Sequence, residues 1–140
     1  MWLGTLSGLL RYDGYRFKQF EFDPLDTNSI SGNFINALEA TPDGRIWIGT
    51  ANDGLSIFDP STEQFRNFRH SAADKNTLSA GAVTAFARSD DGVWIGTQTG
   101  LVRFDAKQSS VTHFAAQSNE PTRPNLNRIR SLHLHRHDNL

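Results

Sequence analysis

The residues with the most obvious chemistry lie near the end of the chain, where Leu132-His133-Leu134-His135-Arg136-His137-Asp138 sets three imidazoles at alternate positions. On an extended strand alternate side chains share one face, so this spacing offers a possible Zn²⁺-binding geometry. Spacing alone is a weak motif, and a solvated turn carrying surface histidines is the simpler reading. The adjacent carboxylates Asp90-Asp91 would suit glycosidase-type acid/base work only if one were held protonated. Beside Gly92 they read instead as an exposed hairpin turn. Serines are plentiful, but no Gly-x-Ser-x-Gly elbow appears, and the glycines sit in turns without a phosphate-cradling loop opening onto a helix. The expectation is a chain that is not an enzyme, with no metal and no cofactor.

Any groups that bind a ligand must be positioned by the elements between them, and those elements repeat. Trp2-Leu3-Gly4-Thr5 returns as Trp47-Ile48-Gly49-Thr50 and as Trp94-Ile95-Gly96-Thr97. A Gly follows each time (Gly8, Gly54, Gly100), then an aromatic-Asp pair (Tyr12-Asp13, Phe58-Asp59, Phe104-Asp105), then an apolar-x-x-Phe element ending at Phe20, Phe68 and Phe114. The pieces are short, aromatic and β-branched, and Pro42-Asp43-Gly44, Asn52-Asp53-Gly54 and Asp90-Asp91-Gly92 punctuate them. Four strands per unit are expected, near 34–40, 45–50, 55–59 and 64–69, then 82–88, 92–97, 101–105 and 110–115, with a last strand near 128–135. Units of this length fit one four-stranded propeller blade. The fold class is therefore all-β, an open arc of about three blade units (2–46, 47–93, 94–140) in a single partial β-propeller, permuted by one strand relative to whole blades.

An open arc exposes an apolar sheet face at each end, so the remaining blades of a propeller, or another copy of the chain paired head to tail, are needed to close the ring. Composition narrows the other partners. The 140 residues carry 14 Lys+Arg against 15 Asp+Glu, so no excess positive field draws nucleic acid or an anionic membrane. No apolar run is long enough to span a bilayer, which argues against direct membrane insertion. With no Cys the redox compartment stays open.

Trp47-Ile48-Gly49-Thr50, Asp53-Gly54-Leu55, Phe58-Asp59, Phe65-x-x-Phe68 and the loop Asn76-Thr77-Leu78-Ser79 together resemble the two-component regulator propeller repeat, as do Gly8 to Phe17 and Asn28-Ser29-Ile30-Ser31 in the first unit. The third unit departs from the pattern at Pro124-Asn125-Leu126-Asn127 and at Asp138. The resemblance implies the extracytoplasmic, periplasmic input region of a membrane-anchored bacterial signal-transduction receptor. There such propellers precede a transmembrane helix and a histidine kinase or diguanylate cyclase, and sense small molecules or oligosaccharides. A structural protein-interaction scaffold, or a glycan-active propeller enzyme, are the alternatives.

In a propeller, the connections from outer strand to next inner strand share one face with the turns between second and third strands, and that face is the expected site. Asp23, Asp26, Asn28 and Asn76 there suit Asx turns. Recurrent positions build the blade, so residues that fail to repeat are the better ligand candidates: Asn36, Asp53, Lys75, Arg128 and Arg130.

Overall fold

The computed structural model describes residues 1–69, 78, 81–90, 92–105, 110–114 and 129–133. These residues form three antiparallel meanders. The first comprises β1 (Trp2–Thr5), β2 (Gly8–Tyr12) and β3 (Phe17–Phe20); the second β4 (Ile35–Ala40), β5 (Ile46–Thr50), β6 (Leu55–Asp59) and β7 (Gln64–Phe68). The third comprises β8 (Val83–Ser89), β9 (Gly92–Thr97), β10 (Leu101–Asp105) and β11 (Ser110–Phe114). In each sheet neighbours in sequence are neighbours in space, and the expected blade order and near-expected boundaries are observed. The chain is all-β, an open β-propeller arc. The first sheet has three strands because its Trp-bearing strand, second in the other sheets, stands at its edge. Residues 129–133 differ from the expected final strand: they run outside any ladder, which requires a paired neighbour.

Each residue of the repeated Trp-x-Gly-Thr segment has its own task. Trp47 is 3% exposed and meets Phe104 of the third sheet edge-on at 5.2 Å, while Trp2 meets Phe58 of the second sheet at 5.3 Å. The Trp therefore faces the next sheet, where a ring buries the largest area available to one side chain. The Gly lets the next inner strand approach. A Cβ at Gly4 would stand 2.5 Å from Ile35 Cγ2, one at Gly49 2.5 Å from Val83 Cγ1, and one at Gly96 2.6 Å from Ile129 Cγ2. The Thr hydroxyl closes the following turn by donating to the carbonyl of Gly8 (from Thr5, 2.8 Å), Gly54 (from Thr50, 2.8 Å) and Gly100 (from Thr97, 2.9 Å). Gly54 itself holds φ 83°, and the Phe68 carbonyl fills the space a Cβ would need.

The core lies between sheets. Leu9, Ile30, Ile35, Ile46, Ile48, Phe58 and Phe65 fill the first junction. Trp47, Leu55, Ile57, Leu78, Val83, Ile95 and Phe104 belong to the second. One further tie crosses between inner strands. At the bulge after Ile35, Asn36 Nδ2 donates to the Val83 carbonyl at 3.1 Å; at the matching bulge, Thr84 Oγ1 donates to the Ile129 carbonyl. Ile129 N also donates to the Thr97 carbonyl, 2.9 Å. Residues 129–133 thus start from the place on the third sheet that β4 and β8 hold on the sheets before them.

Candidate functional site

The connection 21–34 and the turn 51–54 emerge at one end of the first two sheets, tied by Ala51 N donating to the Phe34 carbonyl at 2.9 Å. Their floor is polar and fixed. Ser56, buried in β6, accepts a hydrogen bond from Ser31 N (3.0 Å), and its hydroxyl lies 2.8 Å from Ser31 Oγ and 2.7 Å from Asn67 Oδ1. Asn67 Nδ2 donates in turn to the Ser29 carbonyl at 2.8 Å. Full pairing of these buried groups pins 29–32 against the second sheet.

On that floor stand charged and aromatic groups. Arg69, directly after β7, donates from Nη2 to the Ser31 carbonyl at 3.0 Å and from Nη1 to Asp53 Oδ1 at 3.4 Å. Its guanidinium lies over the Phe22 ring, 5.8 Å from the centroid. Phe22 is held by its backbone N donating to Asn33 Oδ1 at 2.7 Å. Phe22 is 41% and Phe34 46% exposed, so an apolar ring, a guanidinium, a carboxylate and a carboxamide share one open surface. Such a set can stack on one face of a sugar or similar ring and hydrogen-bond its hydroxyls. Asp53 is fixed from below by Thr50 Oγ1, which accepts from Asp53 N at 2.9 Å. Gly32 is required beside it, because the Asp53 carboxylate occupies the space of a Cβ.

The five candidates from sequence separate on this frame. Asp53 lies within the cluster. Asn36 is exposed, with its amide nitrogen engaged by the inter-sheet bond to Val83. Arg130 is exposed on the segment after the third sheet, at the position matching Asn36 and Thr84. Lys75 and Arg128 lie outside the described residues, as do His135 and His137; His133 is exposed. The Asx reading holds at Asp23 and Asp26, whose carboxylates accept from Leu25 N and Asn28 N, each at 2.9 Å. Arg69 and Phe22 are not among the residues that the sequence singles out. The available signal was the charge following Phe68, where the first unit has Glu21 after Phe20.

The opposite end of the sheets has different electrostatics. The Thr41 hydroxyl holds the Asp43 carboxyl below its ordinary range, as the Ser61 hydroxyl and backbone do for Asp59. Backbone donors from Arg16 and Tyr15 lower Asp13, and the Lys18 ammonium lowers Glu63. All four shifts favour the ionised form, opposite to what a general acid requires. They mark turn closure and inter-sheet pairing.

Residues 29–52 match the family model of the two component regulator propeller. Among solved structures, the extracellular domain of the hybrid two component system BT3049 of B. thetaiotaomicron is 28% identical with a TM-score of 0.77, covering 81% of this chain and 16% of that one. The extracellular domain of BT4673 from the same organism, described as a hybrid two component system, is 27% identical with a TM-score of 0.66 over 84% of this chain and 16% of its own. A second structure of the BT4673 domain, described as a one component system, gives 27% and 0.65 over 82% of this chain and 15% of its own. This chain thus spans about one sixth of the solved domains it resembles. No curated protein matches it.

Proposed function

We propose that this chain, whose residues 29–52 match the two component regulator propeller model and whose fold resembles extracellular domains of two component systems, is a propeller region of a signalling receptor and a ligand-sensing module, periplasmic in a bacterial receptor, with its site on the loop end of the first two sheets. The observation that carries this reading is the Phe22, Arg69 and Asp53 cluster. It draws groups from the connection after the first sheet and from two loops of the second onto one solvent-facing surface. A polyhydroxylated small molecule or oligosaccharide would bridge those loops. Its preference for one arrangement of the two sheets would shift their equilibrium, which is the elementary requirement for a signal. The role is binding, with no covalent step.

A thermal-shift and calorimetric screen against a broad oligosaccharide set tests it. A ligand at about 100 times its Kd should stabilise by about 2.7 kcal/mol. Arg69→Ala should cut its affinity at least tenfold. Absence of stabilisation by every member, or affinity unchanged in Arg69→Ala, would overturn the assignment.

A further inference from the structure

The turn that supplies Asp53 is built differently from its two repeats. Two residues separate Thr from Gly at Thr5-Leu6-Ser7-Gly8 and at Thr97-Gln98-Thr99-Gly100, but three do so at Thr50-Ala51-Asn52-Asp53-Gly54. The closing bond from the Thr hydroxyl to the Gly carbonyl survives the extra residue, at 2.8 Å from Thr50 as from Thr5. Two glycines make room for it. A Cβ at Gly32 would collide with the Asp53 carboxylate and one at Gly81 with the Asn52 carbonyl, and Gly54 N donates to the Gly81 carbonyl at 2.7 Å. The longer turn is thus seated against the connection before the second sheet on one side and against the residues entering the third on the other. Its extra length places a carboxylate where the other two turns have none.

The surroundings of that carboxylate are acidic. Residues 21–34 and 51–54 contain Glu21, Asp23, Asp26 and Asp53 and no Lys or Arg, and the first three acids are exposed. At the opposite end of the sheets, Glu63 meets both Lys18 and Arg11, and Asp43 meets Arg45. Arg69 is the one base of the loop-end cluster, and it is turned onto the protein: Nη2 donates to the Ser31 carbonyl, Nη1 to Asp53, and the guanidinium lies over Phe22. An Arg that receives an anion presents those two nitrogens to it as a fork. What solvent meets here is a negative field beside two exposed rings, Phe22 and Phe34, and both favour a cation. We propose that the loop-end site takes an oligosaccharide bearing protonated amines, and that Asp53 is the residue that selects it over neutral and acidic sugars. The inference rests on the ligand-sensing reading of that site and adds the charge of its ligand. An ammonium on a carboxylate makes a hydrogen bond roughly twice as strong as a neutral pair, whereas a uronate meets like charges.

Calorimetry on the whole chain with three probes of equal length tests this: a glucosamine oligomer, its N-acetylated counterpart and an oligogalacturonate. With its amines protonated, the glucosamine oligomer should bind about tenfold tighter than the N-acetylated one, and the oligogalacturonate should bind weakest. Salt should narrow the gap, and so should raising the pH until the amines lose their protons. Asp53→Asn keeps the shape of the side chain and removes its charge, so the glucosamine oligomer should lose about tenfold in affinity and the N-acetylated one less than about twofold. Asp53→Glu, which keeps the charge and changes the shape, should preserve the order of the three probes. Equal or tighter binding of the neutral or acidic probe, a preference unchanged in Asp53→Asn or lost in Asp53→Glu, or no binding of the glucosamine oligomer would overturn the proposal. Binding of a neutral or acidic probe in its place would leave the ligand-sensing reading standing, so the two fail separately.

Discussion

The two junctions inside the arc occupy the same positions with different chemistry. Between the first and second sheets, Trp2 and Phe20 meet Phe58 and Phe65 with ring centroids 4.9 to 5.9 Å apart, and Arg11 and Lys18 close the rim on Glu63 at 3.4 and 2.6 Å. Between the second and third, Trp47 meets Phe104 at 5.2 Å and Phe86 at 6.5 Å, and the place of Arg11 belongs to Ile57, 7% exposed. Trp47, beside Ile57 on a strand flanked by β4 and β6, is sealed at 3% exposure; Trp2, beside Arg11 on the edge strand β1, is half-buried. One scaffold position thus carries a buried aliphatic side chain at one junction and a charged clasp at the other, where the Arg stem covers the ring while its head reaches a carboxylate. The repeat fixes the geometry and leaves this choice free.

The largest expected effect breaks the dry junction. Trp47→Ala removes a sealed ring flanked by Phe86 and Phe104 and should cost about 3–5 kcal/mol, read as a fall in the denaturant midpoint. Trp2→Ala should cost about half as much, since part of its ring already faces solvent and Arg11 can settle into the space. Equal losses at both sites would show that the side chain at the Arg11 and Ile57 position does not set how dry a junction is.

A smaller effect tests the tie between inner strands. Asn36→Ala leaves the Val83 carbonyl without the donor seen at 3.1 Å, and Thr84→Val does the same to the Ile129 carbonyl. Each should cost about 1 kcal/mol. If hydrogen exchange in β8 does not quicken in Asn36→Ala, the bond does not couple the second sheet to the third.

That pair also shows what could and could not be read from sequence. Strand order and near-exact bounds were legible because turn residues recur at fixed offsets from each Trp, so three noisy signals reinforce one another. The Trp was recognisable as core, but the tasks of Gly49 and Thr50 were not. The first depends on Val83 in the next sheet, the second on the carbonyl of Gly54. The residue type at Asn36 fails to repeat, which marks it in sequence as a ligand candidate, yet its amide and the Thr84 hydroxyl make the same bond. A varied residue type can hide a conserved contact. Asp53 stands out in sequence on the same ground and does lie in the loop-end cluster, but its partner Arg69 does not, because only the fold brings the end of β7 to the turn before β6. What repeats along the chain is visible in one dimension; what crosses between sheets is not.

The smallest expected effect is a pH dependence confined to the clasped junction. The Lys18 ammonium, then Arg11, holds the Glu63 carboxyl below its ordinary 4.5. A carboxyl whose folded value is depressed binds fewer protons when folded, so its stabilisation is present above 4.5 and is lost as the pH falls through the folded value. Acid should therefore loosen the first junction, and the amide protection factors of β2, corrected for the intrinsic slowing of exchange in acid, should fall more than those of β9 as the pH drops below that point. Asp13 has a depressed value in the same sheet, through backbone donors within its own turn, so it contributes to the same acid trend. Glu63→Gln separates the two. It keeps the side-chain length and removes the titration, so the part of the β2 response that disappears belongs to the clasp and the remainder to the Asp13 turn. Salt should reduce the first part because the charges are exposed at the rim. A β2 response unchanged in Glu63→Gln would mean that the ion pairs of Arg11 and Lys18 do not hold the two sheets together, and that the first junction rests on its packed rings and aliphatic side chains.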